Sequence, residues 1–287
     1  MKKIMVILGL FFPSMCLAQT SFIPKFHEGM IKTCKSEIVS SGQNELGVQK
    51  VKIVFDSRYF VKNTSKDSVI IEATVTSLDI QNADTLVEQV TDFDDMKAIL
   101  NKPILFSFNL DGTMRRLLNK SEVKESMKEY VKTLPIGISV DDFANMMVTD
   151  NSMLNLIDKA GLFSYYGKAL NTNDFDMEEV NGIKVKRVFT ISPDGKEFSI
   201  TYSPGMTSDE LKNTLIDQMR MGGRNDMADQ LEQQWPMLEV LGYNKIEVNG
   251  TANVCFDENG FMSSKQSHVI INAMGTKTEI STKSSIQ

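Results

Sequence analysis

Two glycine-bearing loops are the first places where this chain could hold an ion. Phe256 to Met262 reads FDENGFM and Phe108 to Met114 reads FNLDGTM, each with acidic or amide side chains ahead of a glycine. A helix-loop-helix calcium site puts glycine at its sixth position, oxygen ligands at the first, third and fifth, and a bidentate carboxylate at the twelfth. Aligned on Gly260, those four positions are Cys255, Asp257, Asn259 and Gln266; aligned on Gly112, they are Ser107, Asn109, Asp111 and Leu118. A thiol, an amide and a leucine stand where hard carboxylates are required, and strand patterns flank both loops. Asn or Asp followed by Gly supplies the positive backbone angles of a tight hairpin, so both loops are read as turns.

Other chemistries find as little support. The histidines are His27 and His268, far apart, and no Cys-x-x-Cys or His-x-x-x-His spacing signals zinc. There is no Gly-x-Ser-x-Gly elbow, and neither Cys34 nor Cys255 has a catalytic context. Gly222 and Gly223 close a helical segment, whereas phosphate cradles open one. Adjacent acids such as Asp94 and Asp95, Asp141 and Asp142, or Glu178 and Glu179 suit solvated faces and helix starts. Carboxylates drawn together from distant segments would still permit a hydrolase. The sequence thus designates no catalytic, cofactor-binding or metal-ligating residue, and implies no cofactor.

Two features remain open. Methionine is abundant, and Met127, Met146, Met147 and Met153 fall in the helical middle of the chain. They could form an adaptable apolar groove for a lipid or partner, or fill irregular gaps in a core. The windows Asp67-Ser68-Val69 and Asp84-Thr85-Leu86 resemble the acceptor of O-linked glycans in Bacteroidetes, which would make Ser68 and Thr85 modification sites; Ser68 also fits an ordinary strand start.

The elements that must position these residues follow from hydrophobic period. Val51, Ile53, Phe55, Tyr59 and Val61, then Val69, Ile71, Ala73 and Val75, alternate with polar neighbours, which predicts antiparallel strands with one face in a core. Short strands follow at Ile104 to Phe108 and Thr113 to Leu118. Asn119 and Glu122 then form a capping-box pattern before a helix carrying Val123, Met127, Tyr130 or Val131, and Leu134 on one face and stopped by Pro135, with further helical pieces at Asp141 to Val148 and Met153 to Ala160. Strands return at Ile183 to Ile191 and Phe198 to Tyr202 around Pro193-Asp194-Gly195. Thr207 and Glu210 make a second capping box with Met206 and Leu211 as its staple, and Pro236 should kink or divide a last helical segment. Strands from about Lys245 close the chain. Runs of strands and runs of helices predict an α+β fold: a mainly antiparallel, curved sheet with helical insertions packed on one face. The two similar turns hint at two related lobes meeting near 120–180.

Residues 1–18 have the form of a secretory leader: Lys2 and Lys3, an apolar run from Ile4 to Phe12, Pro13, and Cys16-Leu17-Ala18 before Gln19. The run is about half the roughly 20 residues a span needs, so cleavage after Ala18 is expected, leaving 19–287 with no transmembrane span. Losing the two leader lysines takes the net charge from −6 to −8, which disfavours nucleic acid as a partner. An oxidising compartment permits Cys34 and Cys255 to pair, closing a very large loop; two buried thiols are the alternative.

The leader ending in Leu-Ala, the alternating early strands and the Phe-Asn-Leu-Asp-Gly and Phe-Asp-Glu-Asn-Gly turns resemble uncharacterised secreted proteins of Bacteroidetes in layout. The resemblance implies an exported protein, in the periplasm or outer cell envelope of a Gram-negative bacterium, and carries over no site residue. Three readings follow: a non-enzymatic envelope protein that binds a ligand or protein partner, a periplasmic carrier of lipid or another apolar ligand, and a hydrolase with a site built from distant carboxylates. The carrier reading requires an open face at Val69, Ile71, Val75, Met146 and Met153.

Overall fold

The computed structural model describes residues 20–44, 47–82, 94–133, 139–180 and 183–287. The expected leader, Cys16, Thr85, Leu134 and Pro135 lie outside the described residues. The chain is α+β. Its strands are β1 (Thr20–Ser21), β2 (Ile31–Asn44), β3 (Gly47–Thr64), β4 (Val69–Asn82), β5 (Ile104–Phe108), β6 (Met114–Leu117), β7 (Ala169–Leu170), β8 (Phe175–Val180), β9 (Ile183–Ile191), β10 (Glu197–Pro204), β11 (Ile246–Phe256), β12 (Met262–Ala273) and β13 (Thr276–Ile286). Its helices are α1 (Lys120–Val131), α2 (Val140–Met147), α3 (Asp150–Ile157), α4 (Ser208–Met221) and α5 (Asn225–Val240), with a 3-10 turn at Asp94–Ile99.

Eleven strands form one curved antiparallel sheet in the order β6-β5-β4-β3-β2-β13-β12-β11-β10-β9-β8, while β1 pairs with β7 beside it. The halves of the chain are two meanders, connected in sequence by the α1–α3 segment and joined in space where the first long strand, β2, pairs with the last, β13. Alternation sets the faces. Along β3, Val51, Ile53, Phe55, Ser57, Tyr59 and Val61 are buried with half-buried residues between them. On β4 the phase changes after Val75, because Asp56 pairs with Ser77 and Ser57 with Val75, leaving Thr76 as a bulge. That extra residue returns Leu78 and Ile80 to the same face as Val75, opposite Phe55 and Ile53.

Both glycine loops are hairpin turns. The turn between β11 and β12 has Gly260 at φ 77°, and the Asp257 carboxylate accepts the N–H groups of Asn259 and Phe261, both at 2.9 Å. In the turn between β5 and β6, Gly112 has φ 88° and Asp111 accepts from the Thr113 N–H and hydroxyl. One oxygen of each carboxylate is thus spent within its own turn, and the other Asp257 oxygen pairs with the Lys32 ammonium at 3.2 Å.

The helices cover one face. In α1, Val123, Met127 and Val131 recur every four residues and are buried; α3 adds Met153, Leu156 and Ile157. The expected capping box at Asn119 does not form, because its side chain is tied to the sheet: Oδ1 accepts the Leu105 N–H and Nδ2 donates to the Pro103 carbonyl. The Thr207–Glu210 box does form, with Met206 and Leu211 buried beside it. Helix α5 runs through Pro236 undivided and buries Ala228 and Trp235.

The Cys34–Cys255 pairing is corrected by the register. Cys34 lies on β2 and Cys255 on β11, with β13 and β12 between them, and both thiols are free. Three strand spacings come to roughly 14 Å, twice the reach of a disulfide between α-carbons. The row through Cys255 continues to Ser264, Ser285 and Lys35, next to Cys34, so the two side chains are also on opposite faces.

Candidate functional site

Ladder register places the inner-facing residues in rows across the sheet. One central row is Phe55, Ser36, Ser284, Lys265, Val254 and Phe198; two rows further along lies Ser40, Ile280, Val269, Gly250, Tyr202 and Arg187. The first row is polar in its middle: Ser36 and Ser284 share a 2.9 Å hydrogen bond, and the Cys34 thiol lies 3.4 Å from Ser36. Burial pushes the Cys34 thiol up to about 11, so it is inert at neutral pH.

This polar row divides the inner face. On one side the space is filled. Phe163 stacks on Phe108 at 4.5 Å and meets Tyr59 edge-on, Phe22 stacks on Phe256 at 4.0 Å, and the Tyr166 hydroxyl accepts the Met262 N–H. Val69, Ile71 and Val75 are sealed beneath this packing. On the other side Val51, Ile53, Val248, Val269 and Ile271 are buried, while Ile80, Ile246, Ala273 and Ile280 are only half-buried. The hairpin of α4 and α5 contributes Leu211 and Trp235 to the core there, with Leu215, Leu231 and Leu238 half-buried against it.

The loop after α3 supplies the wall between the two sides. The Asp158 carboxylate accepts the N–H groups of Leu162 at 2.7 Å and Phe163 at 2.8 Å, folding the chain back to present Phe163, Tyr165 and Tyr166. Burial raises its pKa from 3.8 to about 7, although those two bonds act in the opposite sense. Both oxygens are spent on the loop, so Asp158 holds shape and does not face a substrate.

Arg187 is the inner-facing charge of β9. It grips Asp176 through two bonds of 2.7 and 2.6 Å and reaches Glu178 at 3.3 Å. Burial works to lower its pKa, but the bond to Asp176 and the nearby Glu178 outweigh it and the guanidinium is held charged. Asp176 also lines a groove of about 600 Å³ along the β8 edge, with Leu170, Asn173 and Phe189. The carboxylates that converge here are thus neutralised by one arginine, a structural arrangement and not an acid–base pair.

Lys265 differs. It points inward from β12, is half-buried, and has neither a carboxylate nor a hydrogen-bond acceptor among the described residues; its ammonium lies 5.9 Å from the centre of the Tyr165 ring. Burial lowers its pKa, opposed by the more distant charges of Glu178 and Asp158. The Tyr165 and Tyr202 hydroxyls also lack a protein partner among the described residues. Burial raises Tyr165 to about 12 and also raises Tyr202, so both remain donors at neutral pH.

The residues singled out in the sequence are not brought together. Met127 and Met153 are fully buried core residues, Met147 is half-buried against the core, and Met146 is 60% exposed. The expected methionine groove is replaced by a packed interior, as gap-filling by a flexible side chain would give. Ser68 sits in the turn before β4, its hydroxyl 2.8 Å from that of Ser65. Lys265 and Arg187 escaped notice, yet a signal existed: Lys265 shares strand parity with Val269 and Ile271, and Arg187 with Ile183, Val185, Phe189 and Ile191. A charge on the apolar parity of a strand must be paired, solvated or used.

No family model matches the chain, and the search of curated proteins found no significant match. Among solved structures, lipovitellin aligns over 91% of this chain and 26% of its own, with 11% identity and a TM-score of 0.42. This chain therefore spans about a quarter of that protein. A DUF1329 family protein from Desulfovibrio piger aligns over 88% of this chain and 84% of its own, at 11% identity and a TM-score of 0.15. A domain described as an outer membrane lipoprotein-sorting protein, from Vibrio parahaemolyticus, aligns over 90% and 84%, at 6% identity and a TM-score of 0.18. Scores below 0.5 carry no argument about function.

Proposed function

We propose that this is an exported, non-enzymatic binding protein of the Gram-negative cell envelope that takes an apolar or amphiphilic molecule onto the inner face of its sheet. One observation carries the reading. The inner face is divided by a polar row, with one side sealed by aromatic packing, while on the other Ile80, Ile246 and Ile280 remain half-buried beside the buried Ile53, Val248, Val269 and Ile271. An open sheet with incompletely covered apolar side chains gains by covering them, at about 25 cal/mol for each Å² removed from water. A concave apolar surface with a few convergent polar groups is the ordinary form of a small-molecule site. The less completely covered apolar side chains lie beyond the polar row and not, as the sequence suggested, over Val69, Ile71 and Val75, which are buried.

Trp235, the sole tryptophan, reports on this side of the molecule. It is 2% exposed and its indole N–H has no acceptor among the described residues. Titration with a fluorescent fatty acid should quench or shift its emission saturably, and native mass spectrometry of gently purified protein should show a co-purifying mass of lipid size. Protein that carries no such mass and leaves both fluorophores unchanged across the titration is not a carrier of this kind.

A further inference from the structure

An open sheet ends in two edge strands, and each leaves every second residue's N–H and C=O without a ladder partner. The two edges of this sheet differ. At β6 the outward N–H of Leu117 donates to the Asp150 carboxylate at the start of α3, 3.1 Å away, while Leu118 bonds back to Leu105. At β8 there is no such cover. Phe189 of β9 exchanges bonds with Asn173 and Asp174, and the Ile191 N–H reaches the Thr172 hydroxyl, so the odd-numbered residues of β9 turn their backbone groups towards β8. By register they meet Asp176, Glu178 and Val180, which leaves the N–H and C=O groups of Phe175, Met177 and Glu179 directed away from the sheet. Among the described residues no bond from outside the ladder reaches these groups. Phe175 is 60% and Met177 51% exposed, so the strand is also uncovered on its outer face.

Side chains decide what such an edge accepts. Residues of an added strand lie about 5 Å from their β8 neighbours on the same face, and about 10 Å from those of β9. On the inner face the neighbours are Asp176 and Glu178, two part-exposed carboxylates that share Arg187; on the outer face they are Phe175, Met177 and Glu179. β8 thus carries three acids and no base, while Lys184, Lys186 and Arg187 stand one strand further back, about a Debye length from an added strand. The groove of about 600 Å³ beside Asp176 leaves room for an added side chain; Leu170 and Phe189 line it, with one base, Lys168, to two acids, Asp174 and Asp176. A second copy of β8 is disfavoured, because antiparallel pairing about Met177 sets Asp176 against Glu178. We propose that β8 is a docking edge for an extended, basic segment of another protein, added antiparallel like the other strands. Its basic residues lie beside Asp176 and Glu178, and the apolar residues between them lie beside Phe175 and Met177. This site is separate from the inner-face reading above and does not rest on it.

Fluorescence anisotropy of labelled, end-capped hexapeptides tests the edge. Wild-type protein should bind the peptide KVKVKV about tenfold or more tightly than EVEVEV, and less tightly as salt is raised. A main-chain hydrogen bond changes affinity by about twofold to tenfold. KVKVKV methylated on its valine nitrogens keeps every charge but cannot donate to the carbonyls of Phe175 and Met177, so it should bind about tenfold more weakly. Met177→Pro removes one outward N–H at an edge position where proline is tolerated; its melting temperature should stay near that of the wild type while its affinity for KVKVKV falls at least about threefold. Glu179→Lys should weaken KVKVKV and strengthen EVEVEV. The proposal is wrong if wild-type protein does not bind KVKVKV at millimolar concentration, or binds the methylated peptide as tightly as its parent. That comparison uses wild-type protein and stands even where the proline variant does not fold. A wild-type dimer in sedimentation that Met177→Pro dissolves would equally overturn it, because a second copy then closes the edge.

Discussion

Asp158 offers a quantitative test of how the inner face is built. Its carboxyl is buried, and burial takes its pKa from 3.8 to about 7. A carboxyl with a raised folded-state pKa binds its proton more tightly in the native protein than in the unfolded chain. Its contribution is therefore fully present below the unfolded value and declines as pH rises from about 4 through about 7. Three pK units at 1.36 kcal/mol each make that loss about 4 kcal/mol, a large share of the stability of an ordinary domain. Asp158→Asn removes the titration. Its amide keeps one acceptor for the Leu162 or Phe163 N–H and leaves the other unpaired, at a cost of about 1–3 kcal/mol. The variant should thus be less stable than wild type near pH 5, and equal or more stable near pH 8, where the wild type carries a buried charge. Urea denaturation of both proteins at pH 5, 6, 7 and 8 measures the crossing. Other titrating groups act on both proteins alike and drop out of the difference. If the wild-type and variant curves against pH run parallel, Asp158 does not titrate in this window and the buried-carboxyl argument fails.

Other substitutions probe the rest of the frame. Gly260→Ala places a Cβ against the Ile23 carbonyl oxygen at φ 77° and should cost about 1–3 kcal/mol in urea denaturation; Gly223→Ala, at φ 72° with open space around it, should cost less. Equal effects would show that the β11–β12 turn is not packed against the N-terminal segment. Protein expressed as residues 19–287 and denatured without reductant should titrate two free thiols, of which the half-exposed Cys255 reacts before denaturation and the buried Cys34 only after it; a count of zero would overturn the strand register. Arg187→Met leaves Asp176 and Glu178 together without a cation. Because those carboxylates are 36% and 40% exposed, the loss should be about 1–3 kcal/mol, below the range for fully buried pairs, and reduced by salt.

Fold class was legible because alternation and helical period are local. Val51 to Val61 and Val69 to Val75 announce their own buried face, and Thr207 with Glu210 announces a helix start, without knowledge of any neighbour. Competition for the same group was not legible. Asn119 has the type and spacing of a cap, yet its amide goes to Leu105 and Pro103, because β5 leaves backbone groups there that need partners. Neighbourhood was hidden too: nothing in the sequence says that β2 closes on β13, and that pairing is what separates Cys34 from Cys255.

Lys265 shows why the candidate site escaped notice. Hydropathy patterning reads the side chains that agree with the buried face, whereas a binding site consists of those that disagree with it. In Lys265, Ser267, Val269 and Ile271 the apolar members locate the strand, and the lysine in phase with them is the departure that needs a cause. Arg187 is the same kind of departure on β9, and its cause is visible in Asp176 and Glu178. Lys265 has no such carboxylate among the described residues, and the ring of Tyr165 beside its ammonium answers part of that charge.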